Sequence, residues 1–295
     1  MDIRKCEIFA ITAETGNISR TAELTGYTQS GVSHTLKSFE EEVGVQLLRR
    51  SRYGVQLTPI GKEFLSHVLT LLAENNKVEQ FVADLHGLEV GTLTIGTFKS
   101  VSIHWLPSLL YTFQEAHPNI HIQLKEGGIY DIEDWIANHE VDVAFYSRQP
   151  KHNFQFIHLA DDPIVAVLPK DYALEEGKDS FPIQEFNGKP FILSEMGVDY
   201  DIHRILKETS ISPDIRFLSK DDYAIMSMVE HHLGISILPE LIMKGRAEDF
   251  ITLPLEPAFT RDLGLGLLEE EHQAPIVKTF VEFVKEWEFP KNKCV

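Results

Sequence analysis

Residues 16–61, GNISRTAELTGYTQSGVSHTLKSFEEEVGVQLLRRSRYGVQLTPIG, leave few folds open, because helix signals and turn signals alternate in a fixed order. Gly16-Asn17 ends a first helix, Ser19 is placed to cap a second, and Gly26-Tyr27-Thr28 turns the chain into a third. This is helix-turn-helix spacing. In the third helix Val32, Leu36 and Phe39 fall at i, i+4 and i+7 and point inward, leaving Gln29, Ser30, Ser33, His34 and Lys37 on or near the opposite face. Small polar side chains at the start of a helix suit a DNA major groove, where they approach base edges without a steric penalty. Leu47-Leu48 then anchors a hairpin in which Arg49, Arg50 and Arg52 lead into a turn at Tyr53-Gly54. Arginines there are suited to phosphates beside a groove.

The bland reading treats the three helices as a packing unit and the arginines as a solvated face. The basic hairpin directly after the third helix favours DNA, with Gln29, Ser30 and Ser33 expected at base edges and His34 and Lys37 nearby. Arg50, Arg52 and Thr58 are expected to serve phosphates or the minor groove, and Ser19, Arg20 and Thr28 complete the candidate surface.

The same stretch resembles the LysR-type transcriptional regulators over roughly the first 65 residues. The resemblance is carried by Phe9, Ala13-Glu14, Gly16, Ala22, Thr28-Gln29-Ser30, Val32-Ser33, Phe39-Glu40, Gly44, Leu48, Arg50, Leu57-Thr58 and Gly61. Thr25 stands where that family usually has a buried leucine, Thr21 where alanine is usual, and Gly31 follows Ser30 where Pro-Ala is the commoner pair.

A chain of 295 residues exceeds what one core usually organises, so two or three units are expected. Charge separates them. Residues 1–62 hold eight Lys and Arg against seven Asp and Glu, whereas residues 91–295 carry −15 of the total −18. An anionic duplex is therefore repelled by the body and not by the head. Two cysteines, Cys6 and Cys294, are too few for a disulfide framework and fit a reducing cytosol. No signal peptide and no apolar run of membrane length is read, so the expected location is cytoplasmic, without a membrane partner.

Residues 1–58 are read as an all-α winged helix-turn-helix domain and 59–90 as a linker helix. Ile60, Phe64, Val68, Leu71, Leu72, Val78, Phe81, Val82 and Leu85 recur at three and four along about 40 Å of helix. Nothing nearby in the sequence is available to cover that stripe, and a second copy of the chain is the simplest partner. The family resemblance implies the same antiparallel contact, presenting two recognition helices to a two-fold operator. Gly87 and Gly91 bracket the hinge into the body.

Residues 91–295 change to βαβ rhythm: LTIGTF, VSIHWLPSLLYTFQEAH, IHIQLKEG, DIEDWIANH and VDVAFYS, then a second run from Asp162-Pro163. A largely parallel α/β sheet is expected. The chain returns near Leu265, giving lobe I over 91–161 and 265–295 and lobe II over 162–264. Such a two-lobed fold resembles periplasmic-type binding proteins, and the family resemblance implies an effector domain. Its local matches are Leu106-Pro107, Phe113, Pro118, Glu126-Gly127, Val141-Asp142, Leu168-Pro169 and the run Gly234 to Pro239.

Ligands in such folds sit between the lobes, at strand ends that release helices. The turn TFKSVSIHW is the first candidate, with Thr97, Lys99, Ser100 and Ser102; Ser100 or Ser102 serves equally well as a plain helix cap. Opposite it stand Gly127-Gly128, Tyr146 and Arg148 in the first lobe and Ser194, Met196, Asp199 and Tyr223 in the second. Lys99 with Arg148 suits a small organic anion, the class the resemblance also implies.

An enzyme with a DNA-binding appendage is the reading from another class. The chain has no G-x-S-x-G elbow, no phosphate loop and no G-x-G-x-x-G after its first strand; His139-Glu140 lacks a second histidine, and Pro118 separates His117 from His121. Neither catalytic residues, nor a metal site, nor a cofactor is expected. An effector-free architectural dimer is the third reading, against which a body of some 200 residues counts. The expected function is regulated, sequence-specific operator binding, with RNA polymerase as a further partner and the protein itself as homodimer or homotetramer.

Overall fold

The computed structural model describes residues 1–51, 54–85, 91–174, 177–195, 200–246, 250–268 and 273–289, with the side chains of 80 and 83–85 outside the described set. Two compact units emerge, one over Met1–His86 with Asn138–Glu140 and one over Gly87–Ala137 and Val141–Val295.

The first unit holds α1 (Ile3–Thr15), α2 (Ile18–Thr25), α3 (Gln29–Val43), a hairpin of β1 (Leu48–Ser51) and β2 (Gly54–Leu57), and the long α4 (Pro59–Leu85). Gly16, Gly26 and Gly44 stop the first three helices in the left-handed conformation that glycine tolerates. Helix α2 starts two residues earlier than expected. Its cap is Asn17, whose side chain accepts from the amides of Ser19 and Arg20 at 2.9 and 3.2 Å, so Ser19 itself lies inside the helix. The two threonines foreign to the family pattern turn their hydroxyls back on α2: Thr21 donates to Asn17 O and Thr25 to Thr21 O. Both hydroxyls thus find a local backbone acceptor, and Thr21 Oγ1 also lies 3.0 Å from Thr15 Oγ1 of α1.

Phe9, Phe39 and Phe64 form the centre of this unit, with ring centroids 5.6 to 6.0 Å apart. Phe64 belongs to α4, and with Val68 and Leu72 it packs on the three-helix core. The first half of α4 is thus covered by its own unit, contrary to the expectation that its whole stripe lacks a partner. Further along, Val78, Phe81 and Val82 are 62%, 58% and 47% exposed.

The second unit begins with β3 (Gly91–Thr97), α5 (Lys99–His104), α6 (Leu106–Ala116), β4 (Ile120–Glu126), α7 (Ile129–Ala137), β5 (Val143–Ser147) and β6 (Gln155–Pro169). It continues with β7 (Phe181–Pro182), β8 (Pro190–Ser194), α8 (Tyr200–Glu208), β9 (Asp214–Ser219), α9 (Asp222–Glu230), β10 (Ser236–Pro239), α10 (Glu240–Met243), β11 (Phe250–Leu267) and α11 (Pro275–Glu286). The sheet order is β10-β6-β11-β5-β3-β4. Only part of it is parallel: β3 pairs in parallel with β4 and β5, whereas β11 runs antiparallel to β5 and β6, and β10 antiparallel to β6. The sheet is therefore mixed.

The two crossovers are the long strands β6 and β11, paired with each other from Gln155↔Leu267 to Pro169↔Phe250. One end of this ribbon buries Leu263, Leu265 and Leu267 against α6 and α11 in the core of the first lobe. The other end carries Ile164 to Leu168 and Phe250 into the second lobe, beside Phe191, Ile205 and Met226. Because Leu263 already belongs to the first core, the return to lobe I comes slightly before the expected position at 265.

Candidate DNA surface and ligand cleft

Helix α3 presents what the sequence places on it. Thr28 caps the helix, accepting from the Gly31 amide at 3.1 Å, and Val32, Leu36 and Phe39 are buried. Gln29, Ser30, His34 and Lys37 are exposed and Ser33 half-buried on the other flank. Among the described residues, neither Gln29 nor His34 makes a side-chain hydrogen bond. Lys37 lies 3.7 Å from Glu41 and Arg20 3.0 Å from Glu23, both exposed pairs of little strength that a phosphate can displace.

Arg50 projects from β1, and its guanidinium lies 3.5 Å from Ser33 Oγ, a distance too long to fix it. Arg52 and the hairpin tip at Tyr53 lie outside the described residues. Thr58 does not belong to the surface. It is buried, its hydroxyl donates to Gln46 O at 2.9 Å, and it accepts from the Gly61 amide at 3.0 Å, so it caps α4 and has nothing left for a phosphate. A residue that sequence reasoning passed over is Glu40. One of its oxygens accepts from the amides of Leu47 and Leu48, both at 2.8 Å, which fastens the start of the hairpin to α3.

The body holds a cavity of about 440 Å³ whose wall includes Phe98, Lys99 and Ser100 after β3 and Glu126, Gly127 and Gly128 after β4. Tyr130, Asp131, Lys220, Asp222, Pro239, Ile242 and Arg261 complete it. Its floor is built on the long ribbon, where Asp162 and Arg261 are direct cross-strand partners. Both are buried. Arg261 Nε donates to Asp162 Oδ2 at 2.8 Å, Arg261 Nη2 donates to Ser100 Oγ at 2.8 Å, and Asp162 Oδ1 accepts from the Leu241 amide at 2.9 Å. The guanidinium also lies 5.2 Å over the Phe98 ring. One buried ion pair thus ties together elements from both lobes, with its hydrogen-bonding capacity well used, the condition under which such a pair is tolerated.

Of the expected ligand residues, Lys99, Ser100, Gly127 and Gly128 line this cavity. Lys99 Nζ reaches Asp221 at 2.9 Å and lies 5.9 Å from the Tyr223 ring, and Tyr223 itself does not line the cavity. The Asp221 carboxyl is held below its ordinary range, chiefly by the hydrogen bond from Lys99. Neither Ser100 nor Ser102 caps α5, whose first residue follows Phe98 without a side-chain cap. Ser102 instead donates to Thr97 Oγ1 at 3.2 Å, and Thr97 is buried.

Tyr146 does not face the cavity. It is fully buried among Ile132, Ile136 and Phe154, donates its hydroxyl to Glu133, and burial pushes that hydroxyl well above its ordinary range. Arg148 is exposed, 3.5 Å from Asp262 and 5.4 Å over Phe156, outside the cavity wall. Ser194 is buried with its carbonyl near His203 Nε2 at 2.7 Å and is likewise absent from the wall. Met196 and Asp199 lie outside the described residues. Arg261, Asp162 and Asp222 are what sequence reasoning missed. Asp162 and Arg261 are polar steps on β6 and β11 and Asp222 opens α9; nothing local says that the two strand steps meet.

Two family descriptions match the chain: "Bacterial regulatory helix-turn-helix protein, lysR family" over residues 3–62 and "LysR substrate binding domain" over residues 86–288. Among relatives, the uncharacterized HTH-type transcriptional regulator YvbU of Bacillus subtilis (strain 168) is 29% identical over 97% of this chain and 98% of its own length. The transcriptional dual regulator GltC of the same organism is 28% identical over 96% of each. Among solved structures, full-length OxyR from Pseudomonas aeruginosa superposes with a TM-score of 0.76 at 19% identity, covering 97% of this chain and 95% of that one. Full-length CbnR in complex with its target DNA gives 0.66 at 21%, covering 97% and 99%. These likenesses carry the fold. No helix among the described residues is long and apolar enough to cross a membrane. With a regulator's helix-turn-helix at one end and a ligand-sized cleft in the body, the chain belongs to the LysR family: it is a DNA-binding transcriptional regulator with an effector domain, not an enzyme.

Proposed function

We propose that this regulator works in the cytoplasm as a homodimer or homotetramer, holds a two-fold operator with paired α3 helices, and answers to a small organic acid bound in the cleft of its body. The observation that carries the reading is the exposed polar flank of α3 beside Arg50, opposite a fully packed apolar flank. Gln29, Ser30 and Ser33 read base edges, with His34 and Lys37 beside them. Ser19, Arg20, Thr28, Arg50 and Arg52 hold the phosphate backbone or the minor groove. Lys99 has three N–H donors and gives one to Asp221, which supports a carboxylate partner from the ligand. Ligand shifts the balance between two states of the oligomer only by its differential affinity for them, and so changes operator bending and contact with RNA polymerase.

Fragments of the host genome retained by the protein supply the operator for the test. Gln29→Ala is expected to lose about 1–3 kcal/mol of discrimination between operator and mismatched DNA. Arg50→Ala weakens all sequences alike and flattens the salt dependence by about one unit of slope per head. Equal loss on every DNA from both variants refutes the division of roles.

A further inference from the structure

The cleft wall carries charges of both signs, and the two signs are not equally satisfied. Lys99 Nζ lies 2.9 Å from Asp221, Lys220 Nζ 3.6 Å from Glu195, and Arg261 Nη2 2.7 Å from Asp162. Every cation of the wall therefore already faces a carboxylate. Among the wall's own carboxylates, Asp131 accepts from the Gly128 amide at 2.8 Å. Among the described residues Glu126 and Asp222 have no ion pair within 4.0 Å and no side-chain hydrogen bond to another residue; the Asp222 carboxyl is met only by its own amide.

Asp222 is the more telling of the two. It sits in the first turn of α9, lines the cavity and is only 8% exposed. Burial pushes its carboxyl above the ordinary range, against the pull of Arg261 and Lys99. A buried carboxylate met only by its own amide is costly, and an incoming N–H donor with positive charge recovers that cost most fully. A ligand bearing only carboxylates adds like charge beside Glu126 and Asp222 and brings them no cation. The exposed ring of Tyr130 is a further surface on which a cation is favoured.

We infer that the effector is an amino-acid-like zwitterion, its ammonium received by Asp222 and Glu126 and its carboxylate by Lys99. This rests on the reading of the cleft as the effector site and names the chemical class that the site selects. The volume of about 440 Å³ is at the small end of ligand sites, which commonly span about 300–1,000 Å³.

The test is calorimetric titration of the full-length protein with each proteinogenic amino acid and, in parallel, with the 2-hydroxy acid of the same side chain, which keeps the carboxylate and replaces the ammonium by a hydroxyl. At least one amino acid is expected to bind about tenfold or more tightly than its hydroxy counterpart. Asp222→Asn removes that preference while the melting transition shows the protein folded. Glu126→Gln, at an exposed position, reduces the same preference and serves if Asp222→Asn does not fold. A hydroxy acid that binds as tightly as its amino acid, and is lost in Lys99→Ala, overturns the ammonium and leaves the cleft standing. Absence of binding by either series overturns the zwitterion. Binding that none of the three substitutions alters overturns the cleft as the site.

Discussion

Asp222 and Asp162 are both buried aspartates of the body, yet their surroundings assign them opposite roles. Asp162 is surrounded by donors: Arg261 twice and the Leu241 amide. Asp222 has only its own backbone amide among the described residues, and its carboxyl is raised above the ordinary value, mainly by burial. A carboxyl whose folded pKa exceeds its unfolded one binds its proton more tightly in the native state, so stability is lost as pH rises from the unfolded value through the folded one. Asp222→Asn removes that penalty. It is expected to raise the melting temperature of the unliganded protein by a few degrees at pH 7 and to give no gain near pH 3, where both states are protonated. Melting curves at the two pH values check this; equal curves for variant and parent at pH 7 would show that Arg261 and Lys99 already offset the burial. Arg261→Ala belongs at the other extreme. It strands Asp162 as an unpaired buried charge, and a loss of about 3–5 kcal/mol is expected in denaturant titration.

At the scale of elements, helix α4 divides into a covered half and a bare one. Val78, Phe81 and Val82 fall at i, i+3 and i+4, one stripe exposed on the isolated chain and beyond the reach of the Phe9, Phe39 and Phe64 cluster. Phe81→Asp together with Val78→Asp is expected to lower the molecular mass in light scattering. Operator affinity should fall by roughly 10²- to 10⁴-fold, the scale of lost bivalency. Unchanged mass would place the self-contact elsewhere. The stripe was legible because helical periodicity is local; which half of it is covered was not, because Phe9 and Phe64 are 55 positions apart and nothing in either segment names the other. The head follows the same rule: its stops at Gly16, Gly26 and Gly44 and the flank of α3 are written in consecutive residues. The body is only half readable. Its βαβ rhythm gives lobes and strand ends, including Lys99, Ser100 and Gly128, but the antiparallel ribbon of β6 and β11 joins residues about a hundred positions apart. That ribbon makes Asp162 and Arg261 partners. Tyr146 and Arg148 were misread for a related reason: alternation along β5 fixes which side chains share a face, and the packing of α7 and Phe154 decides that Tyr146's face is core.

For the whole molecule, charge and ligand act on one equilibrium. The body carries −15 and the head close to none, so on the proposed reading association with DNA is left to the few arginines and lysines around α3 and the hairpin. A modest change in how two heads are presented then has a large effect on affinity, since little other electrostatic attraction is available to compensate. If the effector prefers one arrangement, its preference is a coupling free energy, and that energy is the same whichever ligand is added first. A regulatory coupling typically amounts to about 1–3 kcal/mol, or roughly 5- to 150-fold in affinity. The expected result is that the amino-acid effector changes operator affinity by a factor in this range, and that saturating operator changes effector affinity by the same factor. Fluorescence anisotropy on labelled operator gives the first factor; calorimetric titration of effector into the protein–operator complex gives the second. The two should agree at each salt concentration, although each affinity falls or rises with salt on its own. Operator affinity that is indifferent to a saturating effector, with effector affinity likewise unmoved by DNA, would separate sensing from grip and confine the ligand's influence to DNA bending or polymerase contact.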